Sequence, residues 1–142
     1  MTQKPVACVV IGVVYDDSMD APLVLLREDI NETVLSIPVG AFEAGAIIMA
    51  AEGLLPAQPQ THDFIAQFIK RNNFRMYHLE LRGNPVSGYF GTLVYKRSFL
   101  KHRMEISPSD GIALAMRLGI PIMADQNMIG VKQHKEKESD FS

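Results

Sequence analysis

The sequence predicts an α+β fold, in which a single domain packs a mixed, twisted β-sheet with about three helices. Its 142 residues suffice for one buried core without a metal or disulfide. Apolar runs of strand length and helical patterns interleave, but they lack the strict alternation of a parallel α/β fold. We place the domain at residues 1–130 and expect the charged tail, 131–142, to be disordered.

The first half of the chain predicts a three-stranded meander and two helices. Residues 6–15 are almost all aliphatic, as in a strand buried on both faces, and further strands are predicted at 22–27 and 34–39. A small-residue helix at 42–52 ends at Gly53. A second helix begins with Thr61 as its N-cap, and its predicted apolar stripe is Phe64, Ile65, Phe68 and Ile69.

The second half predicts a hairpin, a third strand, a helix and a short last strand. The hairpin pairs residues 74–82 with 88–96, and the next strand spans 99–106. Ser107 is the expected N-cap of a helix over 108–118, with a proline at its first position and Asp110 at its third. Gly119 ends that helix, and a strand follows at 120–124.

Cysteine usage indicates a reducing compartment. The single cysteine, Cys8, cannot form an internal disulfide, so we expect a cytoplasmic protein. The apolar run around it is too short to span a membrane and lacks the basic start and cleavage site of a signal peptide. We therefore expect no membrane association.

Charge is distributed unevenly along the chain. Residues 1–69 hold two basic residues and nine acids, whereas residues 70–103 hold eight basic residues and one acid. Such a block can steer a polyanion to one face, although strands also expose Lys and Arg for solubility and edge protection. The nucleic-acid-binding candidates are Lys96, Arg97, Lys101 and Arg103.

Two similar turns each place a carboxylate in the first turn of a helix. They are residues 37–47, which contain Glu43, and residues 107–117, which contain Asp110. The free backbone N–H groups at such helix starts attract anions, but a carboxylate there also serves as an ordinary cap. For Asp110 the capping interpretation is strong, because Ser107 completes a capping box.

A His-Asp pair begins the second predicted helix. His62 is able to bind a metal or act as a general base, with Asp63 orienting it. The alternative is a polar first turn without function. No phosphate-binding glycine loop, paired cysteines for zinc or nucleophile elbow is present in the sequence, so no organic cofactor is expected.

Several of these stretches occur together in one known family. They are Ile37-Pro38-Val39-Gly40, Glu43 to Ile47, Thr61-His62-Asp63, Gly88-Tyr89-Phe90, Pro108 to Ala115, and Pro121-Ile122. In this order and spacing the chain resembles the bifunctional nuclease domain family of bacteria and plants, from about residue 6 to about residue 129. The resemblance implies an α+β domain that self-associates, with a dimer favoured, and DNase and RNase activity as in plant members.

If the protein is a nuclease, our hypothesis is metal-assisted hydrolysis of phosphodiester bonds. Glu43, Asp63 and Asp110 would hold Mg²⁺ or another divalent cation through oxygen ligands, and His62 would activate or position water. The basic strand residues would contact the nucleic-acid backbone without reading sequence. On this hypothesis the protein is a metal-assisted nuclease.

Two departures from the family pattern support a second hypothesis. The family usually has Arg-Pro before its Thr-His-Asp and Arg-Pro-Ser-Asp before its third helix. Here these positions read Gln58-Pro59 and Ser107-Pro108. The alternative is therefore a non-catalytic oligomeric binding or scaffold domain that kept the fold but lost the phosphate-clamping arginines.

Overall fold

The computed structural model describes residues 4–129 and folds them into one mixed sheet with four helices. The strands are β1 (Val6–Asp16), β2 (Ala21–Glu28), β3 (Val34–Pro38), β4 (Arg75–Asn84), β5 (Gly88–Arg97), β6 (Leu100–Ile106) and β7 (Ile122–Ala124). The helices are α1 (Ala41–Ala51), α2 (Thr61–Arg71), α3 (Pro108–Leu118) and α4 (Gln126–Ile129). The predicted α+β class is confirmed, with one short helix more than expected. The predicted tail lies outside the described residues.

The sheet consists of two antiparallel meanders joined by one strand. Its strand order is β3-β2-β1-β7-β4-β5-β6, so β7 lies between the meanders. It pairs antiparallel with β1 and parallel with β4. Backbone hydrogen bonds from Leu79 N to Pro121 O and from Asp125 N to Leu81 O, both 2.9 Å, extend the parallel ladder at its two ends.

The core lies on the face of the sheet that the helices cover. Alternate positions of the strands, such as Leu26, Ile37 and Leu79, are buried there against Ile47 of α1 and Ile112 of α3. Burial of such side chains contributes about 1.5–3 kcal/mol each to folding. This face fixes where the helix starts lie.

Strand β1 departs from its prediction. It was expected to be buried on both faces, and this is wrong, because Val9, Ile11 and Val14 are exposed. Val9 pairs with the exposed Arg27, whose neighbour Leu26 points into the core, so Val9 lies on the opposite face. An aliphatic run cannot by itself distinguish a strand covered twice from one with an exposed apolar face.

Two glycines leave room where β6 ends and α3 begins. A Cβ at Gly111 would lie 2.7 Å from Leu79 Cδ1 and 3.1 Å from Ile106 Cγ2. At Gly91, on β5, a Cβ would lie 2.8 Å from the carbonyl oxygen of Ile106. The backbone of α3 therefore starts next to the end of β6, and its first turn is held at a fixed place.

The predicted ends of α1 and α3 are confirmed. The Ser107 hydroxyl accepts a hydrogen bond from the Asp110 backbone N–H at 3.3 Å, Pro108 is the first helical residue, and Gly119 is left-handed with φ 69°. Gly53 follows α1 with φ 67°. These ends depend on local chemistry, which a sequence displays directly.

Helix α2 differs from its prediction in two ways. Its N-cap is Gln60 rather than Thr61, and the Asp63 side chain accepts a hydrogen bond from the Gln60 N–H at 3.0 Å. The predicted stripe is also wrong in part, because Phe64, Ile65 and Phe68 are exposed whereas Ala66 and Ile69 face the core. None of the helices in residues 4–129 combines the length and the apolar character needed to cross a membrane.

Candidate functional site

The two similar turns found in the sequence border one cleft. The turn between β3 and α1 and the turn between β6 and α3 both line it, together with Tyr89 of β5. The cleft has a volume of about 350 Å³. Its lining residues are Ile37, Pro38, Val39, Gly40, Tyr89, Ser107, Pro108 and Ser109. The structure therefore brings the starts of α1 and α3 to the same place.

A hydrogen bond joins the starts of α2 and α3. His62 Nε2 lies 2.9 Å from Asp110 Oδ1, although the two residues are 48 positions apart. The His62 side chain is only 11% exposed, so the imidazole is held in a defined place. No hydrogen bond to His62 Nδ1 is found within residues 4–129. In the tautomer that donates Nε2–H to Asp110, Nδ1 carries a lone pair.

Ser107 completes this contact as the third member of a chain of side chains. Its hydroxyl donates to Asp110 Oδ2 at 2.8 Å, while His62 occupies Oδ1. Both oxygens of Asp110 are therefore bound by protein groups. The same carboxylate thus orients His62 and belongs to the cap of α3, so the capping and functional interpretations of Asp110 are compatible.

Asp63 turns away from this pair to an arginine. Its Oδ1 accepts a hydrogen bond from Arg117 Nε at 2.7 Å, and its Oδ2 is bound by the Gln60 N–H. The hydrogen bond from the Arg117 guanidinium, more than any other contact, holds the pKa of Asp63 below its usual value. Asp63 is thus ionised, and the positive charge of Arg117 balances its negative charge.

Arg117 is a positioning residue that the sequence analysis did not identify. Its side chain is 11% exposed and also donates to the carbonyl oxygens of Ala113 at 2.9 Å and Ala46 at 3.1 Å. It therefore ties α3 to both α1 and α2. Its position as the only charged residue in the otherwise apolar run 111–118 is the signal that would have singled it out.

Glu43 lies over the start of its own helix. A Cβ at Gly40 would overlap the Glu43 carboxylate, so that side chain folds back across the N-cap of α1. Within residues 4–129, no three His, Cys, Asp or Glu side chains lie close enough together to hold a metal ion. The structure therefore pairs His62 with Asp110 but does not bring Glu43, Asp63 and Asp110 together as one ligand set.

The four residues predicted to contact nucleic acid have different neighbours in the structure. Arg103 is bound to Glu80 at 2.6 Å, and Arg97 lies 5.3 Å from the centre of the Phe74 ring. Lys96 and Lys101 face each other across β5 and β6. Of the four, only Lys96 and Lys101 occupy directly opposite positions on neighbouring strands.

Arg75 extends this pair into a row of three cations. It faces Lys96 from β4, so Arg75, Lys96 and Lys101 occupy directly opposite positions on three neighbouring strands. We call these three residues the cation row. No ion pair to any of them is found in the part of the chain that the structure describes. The sequence hypothesis had not included Arg75, since register is invisible before strand pairing is known.

Next to the cation row, the same face of the sheet carries side chains of both charges. An open concavity of about 590 Å³ is lined by the paired side chains Arg103 with Glu80 and Arg82 with Glu105, and by Asp125. Partial burial raises the pKa of Glu80, but hydrogen bonds from Arg103 and His78 outweigh it and leave the pKa below its usual value. Positive charge is therefore unbalanced at the cation row and not in the concavity.

Comparison with known protein families assigns the chain to one of them. Residues 24–137 match the family described as "Bifunctional nuclease domain". Because this match covers more than half of the chain, the protein belongs to the bifunctional nuclease domain family. The resemblance drawn from the sequence is confirmed.

Two relatives from Mycobacterium tuberculosis are similar to the chain. They are "Uncharacterized protein Rv1829" of strain H37Rv and "Uncharacterized protein MT1877" of strain CDC 1551. Each is 28% identical over 120 residues, which cover 84% of this chain and 71% of the relative. The likeness thus extends over most of the sheet and its helices.

Proposed function

We propose that this protein is a nuclease that hydrolyses phosphodiester bonds in DNA or RNA without sequence preference. Family membership supports a nucleic-acid-related role, and the hydrogen bond between His62 and Asp110 carries the proposal of catalysis. A carboxylate that binds one imidazole nitrogen orients the ring and stabilises its protonated form. His62 Nδ1 then accepts a proton from water as the water oxygen attacks phosphorus. The bond from phosphorus to the leaving sugar oxygen breaks, and that oxygen takes up a proton from the solvent.

The cleft lined by Ser107, which binds Asp110, has features that suit an anionic substrate. The helix starts at Gly40 and Ser107 border the same cleft, and each contributes the positive end of a helix dipole. A phosphate placed there would be stabilised by both dipoles without an arginine clamp. This compensates in part for Ser107 standing where the family has Arg.

A divalent cation remains a prediction. As arranged, the oxygens of Asp63 and Asp110 are bound by protein donors, and Glu43 folds over Gly40. These three carboxylates do not fit a shared metal, so no step of the proposed reaction passes through one. Cleavage with Mg²⁺ and with EDTA measures the requirement directly.

The experiment is cleavage of labelled single-stranded RNA and DNA by the wild-type protein and by His62→Ala and Asp110→Asn. We expect both variants to lose at least about 100-fold in rate, the usual contribution of a positioned general base. Glu52→Gln, which alters an exposed acid at the end of α1, is the matched control and should leave the rate unchanged. Equal residual cleavage by all four proteins would refute the proposal and indicate contamination.

The alternative, a non-catalytic binding or scaffold domain, has one specific observation in its favour. Both candidate carboxylates at the starts of α2 and α3 perform structural work, since Asp63 binds Arg117 and Asp110 caps α3. These structural roles explain both carboxylates without a substrate. This function predicts nucleic-acid binding that persists in His62→Ala with no cleavage by any form of the protein.

We also propose that the chain forms a homodimer through the exposed face of β1. Val9, Ile11 and Val14 leave an apolar strip on the face opposite the core, and such strips often mark subunit contacts. Light scattering after gel filtration should give twice the chain mass, and Val9→Glu should give the monomer. The buried, single Cys8 further supports a cytoplasmic location.

A further inference from the structure

The turn between β5 and β6 has an unusual sequence for its geometry. Arg97 pairs with Leu100, so the loop consists of Ser98 and Phe99 alone. Both have positive φ, 52° and 70°. Two-residue hairpin turns with two positive φ values strongly favour Asn-Gly, because side chains other than Asn, Asp and Gly are strained there. Neither residue of this turn is of the preferred kind.

Phe99 does not offset that strain by packing. Its side chain is 92% exposed at the tip of the hairpin, and Leu100 beside it is also exposed. A large apolar side chain in water at a strained position does not stabilise the fold. Strained residues concentrate at functional sites, so an observed case justifies a functional hypothesis.

The charges around the tip indicate what it meets. Lys96 Nζ lies 5.9 Å from the centre of the Phe99 ring, which places the ring beside the cation row. Like charges at directly opposite strand positions repel each other. A partner that relieves this repulsion is anionic, and one that uses Phe99 also offers a flat or apolar group.

We propose that the hairpin tip binds single-stranded nucleic acid, with an unpaired base stacked on Phe99 and neighbouring phosphates on the cation row. The ligand class rests on the proposed function. A base in a duplex is stacked on both sides, whereas an unpaired base has a free face for an aromatic ring. Stacking on one ring and contact with phosphates read no sequence, in agreement with the proposed lack of preference.

The first test measures binding of a labelled 20-nucleotide oligo(dT) and oligo(U) in EDTA, where cleavage does not interfere. Phe99→Ala should weaken binding of both by about 5-fold to 140-fold, the range for loss of one stacked base. Binding of a blunt duplex should change little. Val86→Ala, which truncates an almost fully exposed side chain in the β4–β5 turn, is the matched control and should bind as wild type does.

The second test uses the salt dependence of the same binding. Lys101→Gln should reduce the slope of log K against log salt concentration by about 0.7, as expected for one lost phosphate contact on a single strand. Phe99→Ala should leave the slope unchanged, because stacking releases no counterions. Arg27→Gln removes an exposed charge from the distant β2 and should alter neither slope nor affinity.

A third variant separates folding from binding. Ser98→Asn with Phe99→Gly installs the turn sequence that the geometry favours, so its melting temperature should equal or exceed that of wild type. Its single-strand affinity should nevertheless fall as in Phe99→Ala. Retention of full affinity by this well-folded variant would refute the role of Phe99.

Two further outcomes are decisive. Failure of the wild-type protein to bind single strands, or loss of binding to phosphatidylcholine–phosphatidylserine vesicles in Phe99→Ala with unchanged oligonucleotide affinity, would overturn the proposal. The latter would assign the tip to a membrane surface. The proposal of catalysis can fail without this one, because binding is measured in EDTA and its outcome does not depend on whether the wild type cleaves single strands.

Discussion

Replacement of Arg117 by Met should be among the most destabilising single changes in the helical layer. The variant keeps a long side chain but leaves Asp63 without its cationic partner and Ala46 O without its hydrogen bond. Breaking a buried ion pair on one side costs about 3–5 kcal/mol. Asp63 stays 18% exposed and keeps the Gln60 N–H, so we expect about 2–3 kcal/mol here.

Urea unfolding of four proteins tests this value. Wild type, Arg117→Met, Asp63→Asn and the double variant form a cycle, and we expect a coupling energy of about 1–3 kcal/mol between the two sites. Arg71→Met, at an exposed position at the end of α2, is the matched control and should change the free energy of unfolding by less than about 0.5 kcal/mol. A coupling below about 0.5 kcal/mol would refute the importance of this contact.

The pH dependence supplies an independent check. The folded-state pKa of Asp63 is lowered by Arg117, so the ionised carboxylate stabilises the fold at pH values above its unfolded pKa, near 4. That stability is lost as the pH falls through the folded pKa. The difference in unfolding free energy between wild type and Arg117→Met should therefore shrink below about pH 4. A constant difference from pH 7 to pH 3 would contradict the reasoning.

Three further outcomes follow from packing, capping and burial. Gly111→Ala should lower the free energy of unfolding in urea by about 1–2 kcal/mol. The new Cβ would lie 2.7 Å from Leu79 Cδ1, and this overpacking outweighs the helix preference of Ala. A more stable variant would contradict this reasoning. Ser107→Ala should lower the unfolding free energy by about 1 kcal/mol through loss of the cap. Ser107→Thr, which keeps the hydroxyl, should stay near wild type, and an unchanged melting temperature in Ser107→Ala would speak against the cap. Cys8 is only 6% exposed. Its burial, and to a smaller extent the nearby acids Glu28 and Asp29, raise the pKa of its thiol to about 12. Iodoacetamide at pH 8 should therefore label Cys8 in urea but not in the native protein, and rapid native labelling would contradict its burial.

The parts of the fold that the sequence predicted are those with local causes. Helix α3 has its predicted bounds because Ser107, Pro108 and Gly119 each act through their own backbone neighbourhood. The hairpin of β4 and β5 was likewise predictable, because Gly83, Asn84 and Pro85 are typical turn residues. Helix α2 was predicted less well, since whether Phe64 or Ala66 faces the core depends on which elements surround the helix.

The candidate site was predictable only as separate residues. The sequence singled out His62 and Asp110 but gave no reason to join them, because their contact depends on how α2 and α3 pack. The same limit hid the partnership of Asp63 with Arg117. The cation row required the register of three strands, and a shift of one residue would have placed Lys96 on the other face.

The position of β7 has a consequence for synthesis on the ribosome. The two meanders share no direct strand pairing and are bridged by three residues that follow the six other described strands in sequence. Until residues 121–125 leave the exit tunnel, each half exposes an unpaired strand, β1 in one and β4 in the other. Either edge is able to pair with a neighbouring nascent chain. Completion of this sheet is therefore a late event, and the interval before it is when the protein is most exposed to aggregation.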